Sequence, residues 1–440
     1  MNRNKAILWL YRELPALEQA GVLSHDTAVR MEAYYGPVTV RSRRIMALTL
    51  LSILGAASIG LGIILLLAHN WEDLPRSART VLSFAPLLAG QTLAGWTLLR
   101  RSDSLAWREG SGTFLALAIG SSISLISQTY HIGGDVSAFL LTWLVLGGPL
   151  IYFLNSSAVA LLYIAGLTGW AGAVQYEGGH TLLFWPLAAF LAPHVWRACK
   201  HDPEGPRIHV LSWGICAALP VAAGLILERS MPGLWIVVYS ALFCILLLTG
   251  RSRFGKFRIN AFVVSGFTGS TILTLILTYT DVWNEIGWEH YRSGGGYHPW
   301  AASQDYILAL ALLTGVVLLV VRGVERKDWF AVVSGGLPLL AVLGFTASAL
   351  NVPASAVMAA FNAYMLIFGV TVLFAGLQRN ELLAVNAGMA VFSVLIVARF
   401  FDAGISFTLR GILFIVLGLA FLGANLALAR RTAAHKETIS

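Results

Sequence analysis

Met46-Ala-Leu-Thr-Leu-Leu-Ser-Ile-Leu-Gly-Ala-Ala-Ser-Ile-Gly-Leu-Gly-Ile-Ile-Leu-Leu-Leu-Ala68 contains no charged side chain and would be apolar on every face of a helix. A hydrocarbon core about 30 Å thick is crossed by about 20 helical residues, so this run has the length and composition of a membrane span. Strands of a transmembrane barrel would alternate apolar and polar residues over segments of about ten, which this run does not do. An isolated strand would also leave its backbone groups unbonded in lipid, whereas a helix satisfies them internally.

The rest of the chain repeats the pattern. Its 440 residues are 57% hydrophobic and 12% charged, with a mean hydropathy of +0.73, against about a quarter charged in a soluble domain. Apolar blocks fall at about 46–68, 78–99, 111–129, 137–154, 156–175, 181–197 and 208–227. Further blocks fall at about 231–249, 259–280, 306–321, 329–350, 354–377, 382–400 and 406–429. The fold class expected is therefore all-α, a polytopic integral membrane protein of about 14 transmembrane helices. The blocks most open to a different count are 137–175, divided only by Asn155 and its serine neighbours, and 181–197, which carries Pro186 and Pro193.

Lys and Arg accumulate on cytoplasmic loops, so their distribution is a signal independent of the apolar blocks. With the N-terminus inside, 24 of the 30 basic residues fall on inner loops or termini. The six others are Arg76, Arg79, Arg229, Arg292, Arg399 and Arg410. An even number of spans with both termini cytoplasmic follows, in a bacterial inner membrane. The net charge of +8 thus reports topology. It is spread over loops rather than gathered on one soluble face, which argues against nucleic-acid binding. No short apolar stretch of signal-peptide type precedes the first block, so the N-terminus is expected to be retained.

Before the first span, Ile7, Leu8, Leu10, Tyr11, Leu14 and Leu17 recur at helical spacing between Arg12, Glu13 and Glu18. Pro15 predicts a kink or restart, Gly21 a stop, Ser24 an N-cap for a second helix to about Tyr35, and Gly36-Pro37 its end. The organisation expected is a cytoplasmic helical hairpin with its basic linker over 1–44, a helical bundle over 45–430 and a cytoplasmic tail over 431–440. The hairpin serves packing, self-association or docking of a protein partner; the bilayer is the other partner.

Several of these residues carry a resemblance. Leu17-Glu-Gln-Ala-Gly-Val-Leu-Ser24, then Ala28, Met31, Tyr34-Tyr35-Gly36, the basic Arg41, Arg43 and Arg44, and Ala68-His69-Asn70-Trp71-Glu72-Asp73-Leu74-Pro75 resemble the bacterial membrane proteins of domain of unknown function 2157. The likeness is most specific over about residues 14–135, where Ser127-Gln128-Thr129-Tyr130-His131 also fits. Arg399-Phe400-Phe401-Asp402 with Arg410-Gly411 resembles the end of such proteins. The resemblance implies a cytoplasmic helical start followed by many spans, and it brings no activity with it.

Function is then sought in polar groups, because charge inside a bilayer is costly and marks paths and relays. No acid or base stands clearly mid-span; the intramembrane polar residues are mainly Gln91, Ser121, Ser122, Ser124, Ser127, Asn260, Asn362, Asn386 and Asn425. These read as helix-packing groups, as do Gly55, Gly60 and Gly62 in the first span. Charge collects instead at outer span ends. His69, Asn70, Glu72, Asp73, Gln128, His131, Asp135, Arg399, Asp402 and Arg410 form the candidate outer-face polar site, with the ends of spans one, three, thirteen and fourteen expected to converge. Glu177 and His180 follow span five.

The loop at 281–305 is the candidate lid, its Trp and Tyr residues serving either a sugar or the interfacial aromatic belt. No His pair has zinc-helix spacing and no phosphate-binding loop occurs, so neither a metal nor a cofactor is expected. Cys199, Cys216 and Cys244 lack redox or metal spacing and read as structural. No catalytic residue stands out, and no nucleophile elbow or kinase signature is present. Two functions remain: a non-enzymatic transporter-like or accessory protein for a small solute, lipid or envelope component, or a membrane enzyme acting on a lipid-linked or glycan substrate at the outer face.

Overall fold

The computed structural model describes residues 3–35, 71, 73–201, 205–227, 231–254, 260–288, 299–379, 381–400 and isolated positions between 408 and 423. By its contacts the chain divides into two compact units, Met1–Arg79 and Thr80–Ser440.

In the first unit, α1 spans Arg3–Gln19 and α2 spans His25–Tyr35. The α1 helix runs through Pro15 rather than restarting there. Ile7 and Leu14, two turns apart on one stripe, are both buried, and their packing offsets the hydrogen bond that proline removes. Gly21 reverses the chain in the left-handed region, at φ +70°. The Ser24 hydroxyl accepts the Thr27 N–H at 3.4 Å to open α2. The Tyr11 hydroxyl donates to the Glu32 carbonyl at 3.3 Å, and His25 Nδ1 meets Glu18 Oε1 at 2.7 Å, so two polar contacts tie α1 and its exit to α2.

The helix α3, Arg76–Arg100, leads into the second unit. There follow α4 (Leu105–Tyr130), α5 (Val136–Gly147), α6 (Leu150–Phe153), α7 (Ser157–Tyr176), α8 (Phe184–His201) and α9 (Pro206–Ile226). The second half holds α10 (Leu234–Phe254), α11 (Ala261–Leu277), α12 (Thr280–Asn284), α13 (Pro299–Glu325), α14 (Trp329–Ala349), α15 (Ala354–Arg379) and α16 (Leu382–Phe400). No strand occurs among the described residues.

Ten of the described helices are long and apolar enough to cross a membrane, counting α5 and α6 together. Each apolar block from 78–99 to 382–400 falls on a helix. The blocks at 46–68 and 406–429, with Gly55, Gly60 and Gly62, lie outside the described residues apart from isolated positions in the last. Two of the twelve blocks on described helices do not count among the ten. The α8 helix ends in His194, Arg197, Lys200 and His201, which dilute its apolar character, and α11 has only 17 residues. The close pair of blocks over 137–175 divides at Asn155, which takes φ +47°, and at Ser156, whose hydroxyl accepts the Val159 N–H at 3.2 Å to open α7. The sequence pattern of a polar, αL-tolerant residue followed by a capping serine is what breaks the helix there.

Lipid tails are as apolar as leucine, so burying leucine does not drive these helices together; close backbone approach and interhelical hydrogen bonds do. The α10–α11 and α15–α16 pairs are joined at glycines. A Cβ on Gly266 would sit 2.3 Å from the Leu247 backbone nitrogen, and one on Gly388 would sit 2.6 Å from that of Leu373. Ser122 on α4 donates to the Ser83 carbonyl of α3 at 2.7 Å, and Trp143 Nε1 on α5 donates to the Ala116 carbonyl of α4 at 2.7 Å. Asn260 caps α11 by accepting the Val263 N–H at 2.9 Å. Thus Ser122 and Asn260 serve packing and capping.

Both described ends of the stretch expected to be a lid are helical. Its start is α12, and α13 begins at Pro299; residues 289–298 lie outside the described residues. Trp283 belongs neither to a lid nor to an interfacial belt. It is buried against Phe361 with ring centroids 5.3 Å apart, and its Nε1 donates to the Leu277 carbonyl at 2.9 Å. An amphipathic ring with its single donor satisfied packs as core wherever a neighbouring glycine leaves room, and Gly344 does so here.

Candidate functional site

Of the ten residues expected at an outer-face site, His69, Asn70, Glu72, Asp402 and Arg410 lie outside the described residues. Asp73 is exposed in a turn of the first unit. In the second unit Gln128 lies in the last turn of α4, and His131 and Asp135 bound the short connection to α5. His131 ends α4 in the left-handed region at φ 52°, and Asp135 is the N-terminal residue flanking α5. Gln128 and Asp135 both line a cavity of about 990 Å³ among α3, α4 and α5. Gln91, Ser124 and Ser127 add polar groups to it, while Phe84, Leu87, Ile119 and Leu146 make an apolar wall.

Arg399 is placed elsewhere, on the end of α11. One Nη2 donates to both the carbonyl and the hydroxyl of Thr278, the latter at 2.6 Å, and the guanidinium lies over the Tyr279 ring at 4.6 Å. A cation at the edge of an apolar bundle is thus held by a helix-end carbonyl and a ring face. Asn362 Nδ2 reaches the same Thr278 carbonyl at 3.4 Å.

Two further polar nodes join the opposite ends of the helices, those bearing most of the basic connections. In the first, Glu109 on α4 accepts the N–H groups of Ser157 at 3.0 Å and Ala158 at 2.8 Å, and the Ser156 hydroxyl at 2.5 Å. A carboxylate thereby satisfies the orphan donors of α7 from another helix. Arg207, at the start of α9, donates to the Ser157 hydroxyl at 2.6 Å and to the Asn155 carbonyl and side-chain oxygens at 2.5 and 2.7 Å. His194 of α8 adjoins it at 3.4 Å. In the second node, Arg251 of α10 is buried, pairs with Asp328 at 3.1 Å and stacks on Phe330 at 4.0 Å. Asp328 also accepts the Phe330 N–H at 3.2 Å, opening α14.

None of Glu109, Arg207 and Asp328 was singled out from the sequence as a partner. Asn155-Ser156-Ser157 before an apolar run is a legible cap signal; that the capping carboxylate arrives from residue 109 is not. Gln304 and Asp305, assigned to the loop by the sequence reading, are buried in the first turns of α13. Gln304 Nε2 donates to Thr181 Oγ1 at 3.1 Å and to the Ile226 carbonyl at 2.5 Å, and its oxygen accepts Trp185 Nε1 at 3.2 Å. Gln304 therefore locks α13 to α9 and to the segment before α8. Among the described residues no group of three or more His, Cys, Asp or Glu side chains could hold a metal.

The α1 and α2 helices followed by α3 to α7 make the architecture of the chain's first part. Residues 15–160 match a family model described as predicted membrane protein (DUF2157). This stretch contains Gln128, His131, Asp135 and Glu109, and it ends just inside α7; it does not reach the Arg399–Gly411 segment, whose resemblance the match leaves unsupported. The description of that family names a membrane protein and no activity. No curated protein and no solved structure matches the chain.

Proposed function

We propose that this chain is a non-enzymatic inner-membrane protein of the accessory or transporter-like kind, which holds an amphipathic molecule such as a lipid or lipid-borne envelope component at its outer face. It has about 14 spans, with both termini and an N-terminal helical hairpin in the cytoplasm. The hairpin is a unit separable from the bundle, joined to it through the basic stretch containing Arg41, Arg43 and Arg44.

The observation that carries this reading is the cavity among α3, α4 and α5. Its polar rim of Gln128 and Asp135 and its apolar wall of Phe84, Leu87 and Ile119 match a headgroup and a chain. Neutral polar groups that donate to carbonyls inside the bundle, as Ser122 does, supply no charge relay. The reading is tested by purifying the full chain in mild detergent and identifying retained lipid or glycan by mass spectrometry, beside Ala138→Trp, which fills the cavity. About one retained molecule per protein, lost in the variant, supports it. Equal retention by both proteins, or turnover of a lipid-linked substrate by the purified protein, overturns it, and the latter outcome establishes the enzyme reading.

A further inference from the structure

A cavity of about 830 Å³ opens where α10, α13 and α15 end and α14 begins, on the basic-loop side. Arg251, Arg322, Arg326, Lys327 and Arg379 line it, with Asp328 as the lining acid. Asp328 already pairs with Arg251 at 3.1 Å, and Arg322, Arg326 and Lys327 add three further cations to the lining. One cation at a helix C-terminus is explained by the helix dipole, and basic loops by topology. Neither explains three such cations gathered on one concave lining, where like charges repel and the field is focused.

The connection that carries two of them is geometrically fixed. Only Arg326, Lys327 and Asp328 join α13 to α14, and Lys327 takes the left-handed φ of +56°. Its N–H donates to the Val324 carbonyl at 2.9 Å and that of Asp328 to the Gly323 carbonyl at 2.8 Å. A Cβ on Gly323 would meet the Ala331 Cβ at 2.6 Å, so the helices close directly behind the turn. The cations are therefore held around the cavity by backbone rather than by flexible loop.

The same cavity has an apolar flank. Leu248 and Leu319 line it, and Val370 and Phe374 on α15 are 42% and 58% exposed, on the side of the bundle. A soluble phosphate would use the cations and gain nothing from this flank; a phospholipid uses both, as basic pockets between membrane helices on the cytoplasmic side do.

We infer that this cavity is a binding site for the phosphate headgroup of an anionic phospholipid, with an acyl chain lying along Val370 and Phe374. It rests on the membrane-spanning character of the helices and is independent of the outer cavity, since the two share no lining residue.

The test titrates the full-length protein with phosphatidylglycerol and with phosphatidylcholine of the same acyl chains, by native mass spectrometry and thermal unfolding. Phosphatidylglycerol is expected to bind more tightly, and replacing three cations (Arg322→Gln, Arg326→Gln, Lys327→Gln) to weaken it about a hundred-fold. Because neutralised loops also affect insertion, Val370→Trp provides a second variant that keeps every charge and narrows the apolar flank; it is expected to weaken the lipid as well. Equal binding of the two lipids, or unchanged phosphatidylglycerol binding in a folded triple variant and in Val370→Trp, overturns the site. Inorganic phosphate or glycerol 3-phosphate stabilising the protein as strongly as the lipid at equal concentration overturns the lipid assignment in favour of a soluble anion.

Discussion

Glu109 on α4 caps α7 from outside that helix, its carboxylate accepting the N–H groups of Ser157 at 3.0 Å and Ala158 at 2.8 Å. Helix N-termini leave donors unpaired, and near a membrane these cannot be left to hydrocarbon. Removing the cap with Glu109→Ala is expected to cost about 1–3 kcal/mol. Glu109→Gln, which keeps an acceptor without the charge, should fall between that variant and the parent. Thermal unfolding in detergent measures both, and a Glu109→Ala protein melting with the parent would show the cap to be idle.

Arg207 and Glu109 meet on the same serine pair from two sides, so their effects should not add. Arg207 Nε donates to the Ser157 hydroxyl at 2.6 Å and its Nη2 to both oxygens of Asn155. A double-mutant cycle of Glu109→Ala with Arg207→Ala is expected to show a coupling of about 0.5–3 kcal/mol. Arg207→Lys should not restore stability, because an ammonium lacks the planar fork. Additive losses within error would separate the two residues.

Gly266 lets α11 touch the backbone of α10, with a Cβ there predicted to lie 2.3 Å from the Leu247 nitrogen. Gly266→Ala should destabilise the protein by about 1–3 kcal/mol by forcing the helices apart. Gly95→Ala and Gly110→Ala are the controls. A Cβ at either meets nothing within 4 Å, so alanine is expected to be neutral or slightly stabilising. Similar melting of all three variants would remove the close approach as a reason for glycine.

Arg399 joins the ends of α16 and α11 through Thr278 and Tyr279. Arg399→Gln is expected to lower the unfolding temperature, and Arg399→Lys to recover little, since the ring stacking and the paired donors are lost together. Recovery by lysine to the parent value would mean that charge alone matters at this position.

The proposed orientation makes a separate prediction. With 24 basic residues on one set of loops and termini and six elsewhere, alkaline phosphatase fused after residue 436 should be inactive, and a cysteine near residue 290 should be labelled from outside the cell. An active fusion, or labelling near 290 only from the cytoplasmic side, reverses the map.

Length and uniform apolarity made the helices legible without a structure. A run such as Met46–Ala68 cannot satisfy its backbone in lipid except as a helix, and each block from 78–99 to 382–400 is found as one. Local chemistry was legible at Ser24, which caps the helix that follows it because a short polar side chain reaches its own next turn; Asn260, expected to serve helix packing, and Ser156, expected only to divide two spans, prove to be caps of the same kind. Charge cost at span ends also marked Arg399, Gln128 and Asp135 as notable. What each of these touches was not contained in the chain order. Arg399 lies 121 residues from Thr278, and Glu109 lies 48 from Ser157. Apolar helices of similar composition have no sequence pattern that selects neighbours, because lipid and helix surface are equally good solvents for leucine. Only the packed bundle, through the glycine contacts at Gly266 and Gly388 and the buried polar nodes, decides which ends meet. That is why the burial of Trp283 and the basic cavity around Arg326 and Lys327 belong to the tertiary structure alone.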